Sequence, residues 1–504
     1  MTLPRGWAWI TIEDTGQYIN GFAFKPQHWG SEGKPIIRIQ NLTNPGKHLN
    51  RTTIEVPAAV QVATGEMLVS WSATLDVFYW RREPALLNQH IFRVVPRVGL
   101  VEPRLLYYWL KVAIQQLCDS PDLHGSTMAH INRGPFLAHR IPLPPFAEQS
   151  RLADRLDELL TELDDGVAEL AAAQAKLTQY RQSLLKAAVE GDLTAEWRAE
   201  NPPQETGAEL LARILRERRA RWEARQLERF GMQGKSPPSG WRERYSEPVG
   251  PAAADLPELP TSWAWATLDQ LLSELRSGTA ETSGRQPTGY PVLKSSAVRQ
   301  GSIDFQALNY LEPAQSERQE NYVERGDILI TRLSGSVEYV GCCAVVSKLP
   351  VFRVQYPDRV FCGKPALGDA SLAALVAMSF QAPLIRTMVE TAAKSTAGHK
   401  RISLSDLYPL PIALPPPDEL ASIMDAVESA SATVESAVRS VDTGLRMAAA
   451  QRQNILRAAF SGQLVAQDPN DEPASVLLAR IRAERGAAAA QPAAGRGRKA
   501  KIAA

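Results

Sequence analysis

The chain has few of the residues that define several common protein classes. Its four cysteines among 504 residues form no CxxC pair, so neither a zinc site nor a disulfide framework is predicted. No run of about 18 uncharged apolar residues suggests a membrane span. The first residues lack the basic and apolar regions of a signal peptide. A net charge of +1 gives no global support for nucleic-acid binding. We therefore expect a cytoplasmic protein without a bound metal.

Signatures of catalysis are equally scarce. We find no GxxxxGK[ST] phosphate loop, no HExxH and no clustered acidic signature of a nuclease. Residues 201–204, NPPQ, resemble the NPP-aromatic loop that holds a flipped base in adenine methyltransferases. Glutamine replaces the stacking aromatic, however, and no glycine-rich cofactor strand precedes the motif. A turn is the preferred interpretation, so we predict a non-catalytic chain that binds no cofactor.

The sequence repeats itself, which constrains its architecture. Residues 3–14 match residues 259–270 with six of twelve identical, at an offset of 256. Residues 65–70 match 326–331 at an offset of 261. Residues 182–193 match 453–464, again with six of twelve identical, at an offset of 271. This last offset holds without a gap for about fifty residues. The two globular parts therefore differ from each other in length, whereas the segments that follow them have the same length in both copies.

The segments of constant length are predicted to be two long helices. In residues 148–190, and again at the matching positions near the C-terminus, apolar or small residues recur at alternating steps of four and three. This spacing is the heptad seam of a coiled coil. Gly191 and Gly462 are placed to end the helices. The principal seam residues are Leu152, Leu156, Leu159, Leu163, Leu170, Leu177, Ile423, Val427, Val434, Val441 and Ile455.

One seam is rich in leucine and the other in alanine and valine. Large side chains facing small ones favour a close pair between the two helices over two separate homomeric coils. We therefore expect an antiparallel coiled coil within one chain, with pseudo-twofold symmetry. The alternative is that each seam packs on its own globular domain.

The globular parts are predicted to be two α+β modules of similar fold. Each begins with a WxW segment and contains short strands, such as 66–71 and 327–332, broken by Gly and Pro. Helical stretches are expected near 103–117 and 371–391. The tryptophans lie beside Leu and Ile, which favours a place in the core over base stacking. Residues 209–229 mix Arg and Glu and are expected to present a solvated helical face.

Polar residues border the strands at matching positions of both modules. Their types suit DNA, because Arg and Lys bind guanine or phosphate and Asn and Gln bind adenine. Each taken alone also fits a solvated surface residue. The candidates in the first module are Arg38, Gln40, Asn41, Ser70, Trp71, Ser72, Ser126, His130 and Asn132. Those in the second are Lys294, Ser295, Ser296, Arg332, Ser334, Lys394, His399, Lys400 and Arg401.

Four motifs, each present twice in the same order, resemble the specificity subunit of type I restriction-modification systems. They are an LPxGW-type opening, a G-[DE]-[IM]-L-[IV] strand, an I-x-L-P-P-x-x-E boundary and a helix that ends as LLKAAxxGxL. Together they cover about residues 1–200 and 259–465. One departure from the pattern is Leu420, where the first copy has Gln149. A second is the strand ending at Ser70, which lacks the glycine-rich continuation seen at 333–335.

The resemblance implies a bipartite DNA site read by two target recognition domains. It also implies helices that act as a ruler and dock two modification subunits. Those partners, with restriction subunits, would bring S-adenosylmethionine, ATP and Mg. The alternatives are an adenine methyltransferase or fused restriction enzyme fragment, and a coiled-coil scaffold that binds no DNA. The expected parts are domain 1 (1–145), the first spacer helix (146–192), a charged helix and linker (193–258), domain 2 (259–416), the second spacer helix (417–463), and a short helix with a basic tail (464–504).

Overall fold

The computed structural model describes residues 3–118, 123–124, 130–252, 256–280, 283–312, 319–396 and 399–490. Two compact units make up the chain. Unit 1 comprises 1–170 with 443–504, and unit 2 comprises 171–442. Each unit therefore contains one globular module and one part of each long helix. We refer to residues 1–145 as module 1 and to residues 259–416 as module 2.

Module 1 consists of short strands around one longer helix. Its helices are α1 (Ile39–Thr43), α2 (Pro103–Cys118) and α3 (Arg133–Ala138). Its strands are β1 (Ala8–Thr11), β2 (Gly16–Asn20), β3 (Lys34–Ile37), β4 (Arg51–Thr52), β5 (Gln61–Val62), β6 (Met67–Ser70), β7 (Asp76–Tyr79), β8 (Ala85–Leu87), β9 (Ile91–Pro96), β10 (Leu123–His124), β11 (His130–Ile131) and β12 (Arg140–Leu143).

The strands of module 1 form two four-stranded sheets, ordered β2-β9-β6-β7 and β4-β3-β8-β5, with β1 paired to β12. The first sheet is antiparallel throughout, and in the second β3 and β8 run parallel. The apolar face of the first sheet, β2-β9-β6-β7, and the buried face of α2 enclose the core of the module. The long helix α4 (Phe146–Glu190) follows directly, which confirms the helix predicted over 148–190.

Unit 2 begins with the second half of α4, α5 (Ala195–Glu200) and α6 (Gly207–Met232). The helices of module 2 are α7 (Leu268–Leu271), α8 (Ala370–Ser379), α9 (Pro383–Ala392) and α10 (Leu404–Leu407). Its strands are β13 (Ala264–Thr267), β14 (Leu272–Ser277), β15 (Ser283–Gly284), β16 (Pro291–Leu293), β17 (Val298–Arg299), β18 (Ser302–Ile303), β19 (Leu308–Leu311), β20 (Ile328–Thr331), β21 (Leu333–Ser334), β22 (Cys343–Val345), β23 (Val360–Pro365), β24 (Lys394–Thr396), β25 (His399–Arg401) and β26 (Pro411–Leu414).

The main sheet of module 2 has the order β14-β23-β20-β22, which reproduces the order β2-β9-β6-β7 of module 1. The helical stretches predicted near 371–391 are present as two helices, α8 and α9. They are separate because Pro383 cannot continue α8 and instead begins α9. In the described residues no single helix is long and apolar enough to cross a membrane. Only the bent pair α8–α9 meets that test jointly.

The long helix α11 (Pro417–Phe460) follows module 2, and α12 (Ala474–Ala490) follows α11. Within unit 1, α4 and α11 run antiparallel. Asp164 pairs with Arg452, whereas Leu170, farther along α4, contacts Gly444, which comes earlier in α11. The two helices also meet within unit 2, where Gln174 Nε2 donates to Asp442 Oδ1 at 3.2 Å. The antiparallel pair predicted from the seams is confirmed.

The principal seam residues of both helices are all buried or half-buried. The seam departs from the strict heptad at three places. Gly166 is exposed while its neighbour Val167 is half-buried, and Tyr180 and Gln451 are exposed. Large-to-small packing is present as expected, because Gly444 leaves room for Leu170. A Cβ at Gly444 would lie 3.1 Å from Leu170 Cδ1.

We predict opposite effects for two glycine substitutions in the helix pair. Gly166→Ala should stabilise unit 1 by about 1 kcal/mol, since alanine has the higher helix propensity and nothing lies within 4 Å of the new Cβ. Gly444→Leu should destabilise it by about 1–3 kcal/mol, because the space is already filled by Leu170. Denaturant unfolding followed by circular dichroism measures both. Equal effects of the two changes would contradict the packing described.

Each module is attached to a long helix through a buried tryptophan and a buried glutamate. Trp7 Nε1 donates to Glu148 Oε2 at 3.0 Å, and Trp263 Nε1 donates to Glu419 Oε2 at 2.8 Å. All four side chains are less than a tenth exposed, which confirms Trp7 and Trp263 as core residues. Gln149, whose counterpart is Leu420, is also buried. Its Nε2 donates to the carbonyl oxygens of Leu100 and Pro144.

One face of the charged helix α6 packs on module 2, whereas most of its charged side chains are exposed, as predicted for a solvated helical face. Leu210 and Ile214 of α6 are buried in the core of unit 2. Arg218 donates to Asp269 Oδ1 at 3.0 Å and to the carbonyl oxygen of Leu272. Trp222 stacks on Trp241 with ring centroids 5.9 Å apart. The first half of α6 is therefore anchored to module 2, and its second half packs on the linker that contains Trp241.

Candidate nucleic-acid interface

Two polar clefts adjoin each other on module 2. The larger, of about 570 Å³, is lined by Lys294, Ser295, Ser296, Asn309, Asp358 and Arg359, among others. The smaller, of about 130 Å³, shares Ser295, Ser296 and Arg359, and adds Arg299, Thr331, Ser334 and His399. Five residues predicted as DNA contacts, Lys294, Ser295, Ser296, Ser334 and His399, are thus brought to one place.

These side chains converge because several strands end at the same edge of the module. Lys294 follows β16, and Thr331 is the last residue of β20. Strand β21 then pairs with β25, which places Ser334 opposite Lys400. Strand β25 also pairs with β24, which places Lys394 opposite Arg401. The predicted basic cluster is therefore a small sheet of its own beside the clefts.

Arg332, another predicted contact, also has a role within the chain. Its Nη1 donates to the carbonyl oxygen of Asp358 at 3.2 Å, and its guanidinium lies 5.5 Å from the ring centroid of Phe361. Its backbone N–H donates to the carbonyl oxygen of Arg359. Arg332 therefore holds the turn 357–359 in place at the mouth of the clefts.

The same strand ends meet in module 1, with different side chains. Arg38 follows β3 and lies over the ring of Trp29, 4.7 Å from its centroid. The backbone N–H of Arg38 donates to Asn41 Oδ1 at 3.1 Å. Asn41 is buried, and its Nδ2 donates to the carbonyl oxygen of His48 at 3.0 Å. The Asn41 side-chain amide thus closes the loop after β3, because its Oδ1 and its Nδ2 both form hydrogen bonds within the chain.

The end of β6 is similarly tied down. Ser70 is buried, and its hydroxyl donates to the carbonyl oxygen of Ser72 at 3.1 Å. The ring of Trp71 lies 4.7 Å from that of His90, and Ser72 forms a β-bridge with His130. His90 has φ +72°, a left-handed conformation that a non-glycine residue adopts at a cost.

The remaining predicted contacts of module 1 are less constrained. Gln40 is half-buried on α1, and Asn132 is exposed at the start of α3. Ser126 lies outside the described residues. Arg38, Gln40, Trp71, Ser72 and His130 thus remain near the edge that corresponds to the clefts of module 2.

Sequence reasoning missed the turn that precedes the central strand of each main sheet. Residues 88–90 before β9 correspond to residues 357–359 before β23. Isolated parallel β-bridges support this correspondence, because Phe22 pairs with Asn88 in module 1 and Thr279 pairs with Pro357 in module 2. The backbone N–H of Trp71 donates to the carbonyl oxygen of His90, and the backbone N–H of Arg332 donates to the carbonyl oxygen of Arg359 in the same way. No sequence signal marked this turn, because the repeat offset changes between the matched segments on either side of it.

The interface contains no evident site for a metal. In the part of the chain that the structure describes, no three His, Cys, Asp or Glu residues are grouped to hold an ion. Burial raises the pKa of the Cys342, Cys343 and Cys362 thiols above the ordinary range, which disfavours the reactive thiolate form. The NPPQ motif follows α5 directly, and Asn201 Nδ2 donates to the carbonyl oxygen of Trp197 at 2.7 Å.

The geometry defines an internally duplicated protein, in which one frame is used twice with different polar side chains at its edge. Residues 4–169 match the family model described as the type I restriction modification DNA specificity domain. The EcoKI type I restriction enzyme specificity subunit of Escherichia coli K12 is 25% identical over 97% of this chain and 98% of its own length. The EcoBI specificity subunit of Escherichia coli is 23% identical over 98% of this chain and 95% of its own.

A solved structure shows the same fold. A chain from a study of complex assembly and conformational transition of the type I R-M system has a TM-score of 0.60. It is 14% identical, and the alignment covers 92% of this chain and all of that one. The resemblance predicted from the doubled motifs is confirmed. Over nearly its full length the chain is similar to type I restriction enzyme specificity subunits, and residues 4–169 match the model of the DNA specificity domain.

Proposed function

We propose that this chain is the sequence-specific DNA-binding subunit of a type I restriction-modification complex. Its two modules read the two halves of a bipartite site. One observation carries the proposal: the same strand ends converge in both modules, but with different side chains. Trp71 and His90 of module 1 correspond to Arg332 and Arg359 of module 2. A common frame with different edge residues suits two half-sites of different sequence, because base identity is read by side chains in the grooves.

In this role the chain supplies recognition and no catalytic group. S-adenosylmethionine would be bound by modification subunits, and ATP and Mg by restriction subunits. Helices α4 and α11 offer these partners a surface, since much of each helix beyond its seam is exposed. The basic cluster around Lys394, Lys400 and Arg401 would contact phosphates beside the bases that the clefts read.

The proposal is tested by mapping N6-methyladenine in cells with and without this chain. We expect a methylated two-part motif that disappears when the chain is deleted. The chain, purified with its modification subunits, should bind a duplex carrying that motif at least 1,000-fold more tightly than a scrambled duplex at about 150 mM salt. Unchanged methylation, together with binding that shows no sequence preference, would favour a protein scaffold instead.

A further inference from the structure

The turn at residues 357–359 carries an arginine that the fold itself does not use. Arg359 is exposed, and its side chain makes no hydrogen bond, ion pair or ring contact with any described residue. Its backbone, in contrast, is held, because its carbonyl oxygen accepts from the N–H of Arg332 at 2.9 Å. A free guanidinium on an anchored turn is well placed to bind an external ligand.

Arg359 also lies where the two clefts of module 2 meet, since it lines both of them together with Ser295 and Ser296. On the wall of the smaller cleft, Thr331 is 1% exposed, and its Oγ1 is buried without a hydrogen-bond partner among the described residues. A buried polar atom of this kind is uncommon in a finished core and points to a ligand that completes it.

The carboxylate next to Arg359 favours a base over a phosphate as its partner. Asp358 lines the larger cleft, and its carboxylate makes no hydrogen bond or ion pair with the described residues. A carboxylate repels phosphate but accepts a hydrogen bond from the amino group of a base. Arginine presents two parallel donors that match O6 and N7 of guanine, so the two neighbouring side chains together suit base edges.

We propose that Arg359 is a specificity-determining residue that reads a guanine in the half-site bound by module 2. This inference rests on the proposed function and identifies one residue that recognises a base. In module 1 the same position is held by His90, whose ring packs against Trp71. The two modules therefore differ at this turn, and the guanine preference belongs to one half-site alone.

The test is a selection of bound duplexes from a randomised library by the full chain in complex with its modification subunits. Arg359→Ala is compared with wild type, with Arg359→Lys, and with Arg325→Ala. Arg325 is an equally exposed arginine in the turn before β20, at the opposite end of that strand from Thr331. Because Arg325 lies away from the clefts, its substitution should leave the selected motif unchanged.

For Arg359→Ala we expect discrimination for guanine at one position of one half-site to fall about 10-fold to 100-fold, with the other half-site intact. Arg359→Lys should recover only part of it, because lysine lacks the planar fork. An unaltered motif would overturn the assignment while leaving the proposed function in place. The assignment would also be overturned if Arg359→Ala weakened binding to all duplexes equally and lowered the slope of log affinity against log salt by about one, because that result indicates a phosphate contact. A wild-type complex that selects no motif would overturn the proposed function and this assignment together.

Discussion

Replacement of residues 1–143 by the matching segment of a relative that reads another DNA site should change one half of the methylated motif. The reason is that the β2-β9-β6-β7 sheet and its edge residues are complete within this segment. Each mismatched base pair costs about 1–3 kcal/mol, so three altered positions should weaken binding to the original site at least 100-fold. Methylation mapping and competition binding measure the change.

The reciprocal exchange of residues 259–414 is the control, and it should change only the other half. In both chimaeras the tryptophan that donates to Glu148 or Glu419 must be kept, because it joins the module to its helix. If either chimaera altered both half-sites, the two modules would not read DNA independently, and the proposal of two separate readers would be wrong.

The second large effect is expected at Glu419, which lies in a buried ionic cluster. Its Oε1 accepts from Thr194 Oγ1 at 2.7 Å and from Arg198 Nε at 2.8 Å, while its Oε2 accepts from Trp263. Glu419→Gln keeps the shape but leaves Arg198 without its charge partner. We expect unit 2 to lose about 3 kcal/mol of stability. Hydrogen exchange of peptides from unit 2 in the full chain measures the loss.

Glu148 is the matched control, since it occupies the corresponding position in unit 1. Its Oε2 accepts from Trp7, but its Oε1 has no hydrogen-bond partner among the described residues. Burial raises the pKa of this carboxyl. Glu148→Gln removes a charge that burial penalises, so unit 1 should change by less than about 1 kcal/mol. An equal loss in both variants would contradict this asymmetry between the copies.

The pH dependence of unit 1 follows from the same carboxyl. A raised pKa means that the folded state holds the proton more tightly than the unfolded chain does. The Glu148 contribution therefore favours folding at low pH. It is lost as the pH rises from the ordinary carboxyl pKa through the raised one. In Glu148→Gln this part of the pH dependence should vanish, as hydrogen exchange at a series of pH values would show.

Much of the architecture could be predicted from the sequence because the helices obey a simple period. The seam from Leu152 to Leu177 and its partner from Ile423 to Ile455 follow from residue spacing alone. Their antiparallel pairing followed from side-chain size, with Leu170 against Gly444 as the visible case. Periodicity placed helical structure near 371–391 but did not give the boundary between α8 and α9, which is set locally by Pro383.

The interface was less predictable, because its residues come from turns whose length differs between the copies. Lys294 and Ser334 were found because each follows a strand that the repeat aligns. Arg359 was missed because no aligned segment contains it. Asn41 has a residue type suited to adenine, yet its amide binds its own loop. Residue type alone does not distinguish a side chain that faces a ligand from one that serves the backbone.

Unit 1 is assembled from both ends of the chain, which has a consequence for biosynthesis. Its core includes Phe460, Leu477 and Leu478, and the N–H of Ala474 donates to the carbonyl oxygen of Gly6 at 2.8 Å. Unit 2 is complete once residue 442 has been made. During synthesis, all residues of unit 2, the middle of the chain, are therefore present before the last residues of unit 1. The N-terminal module must wait for the last segment of the chain, so a premature stop after residue 442 leaves that module unfinished.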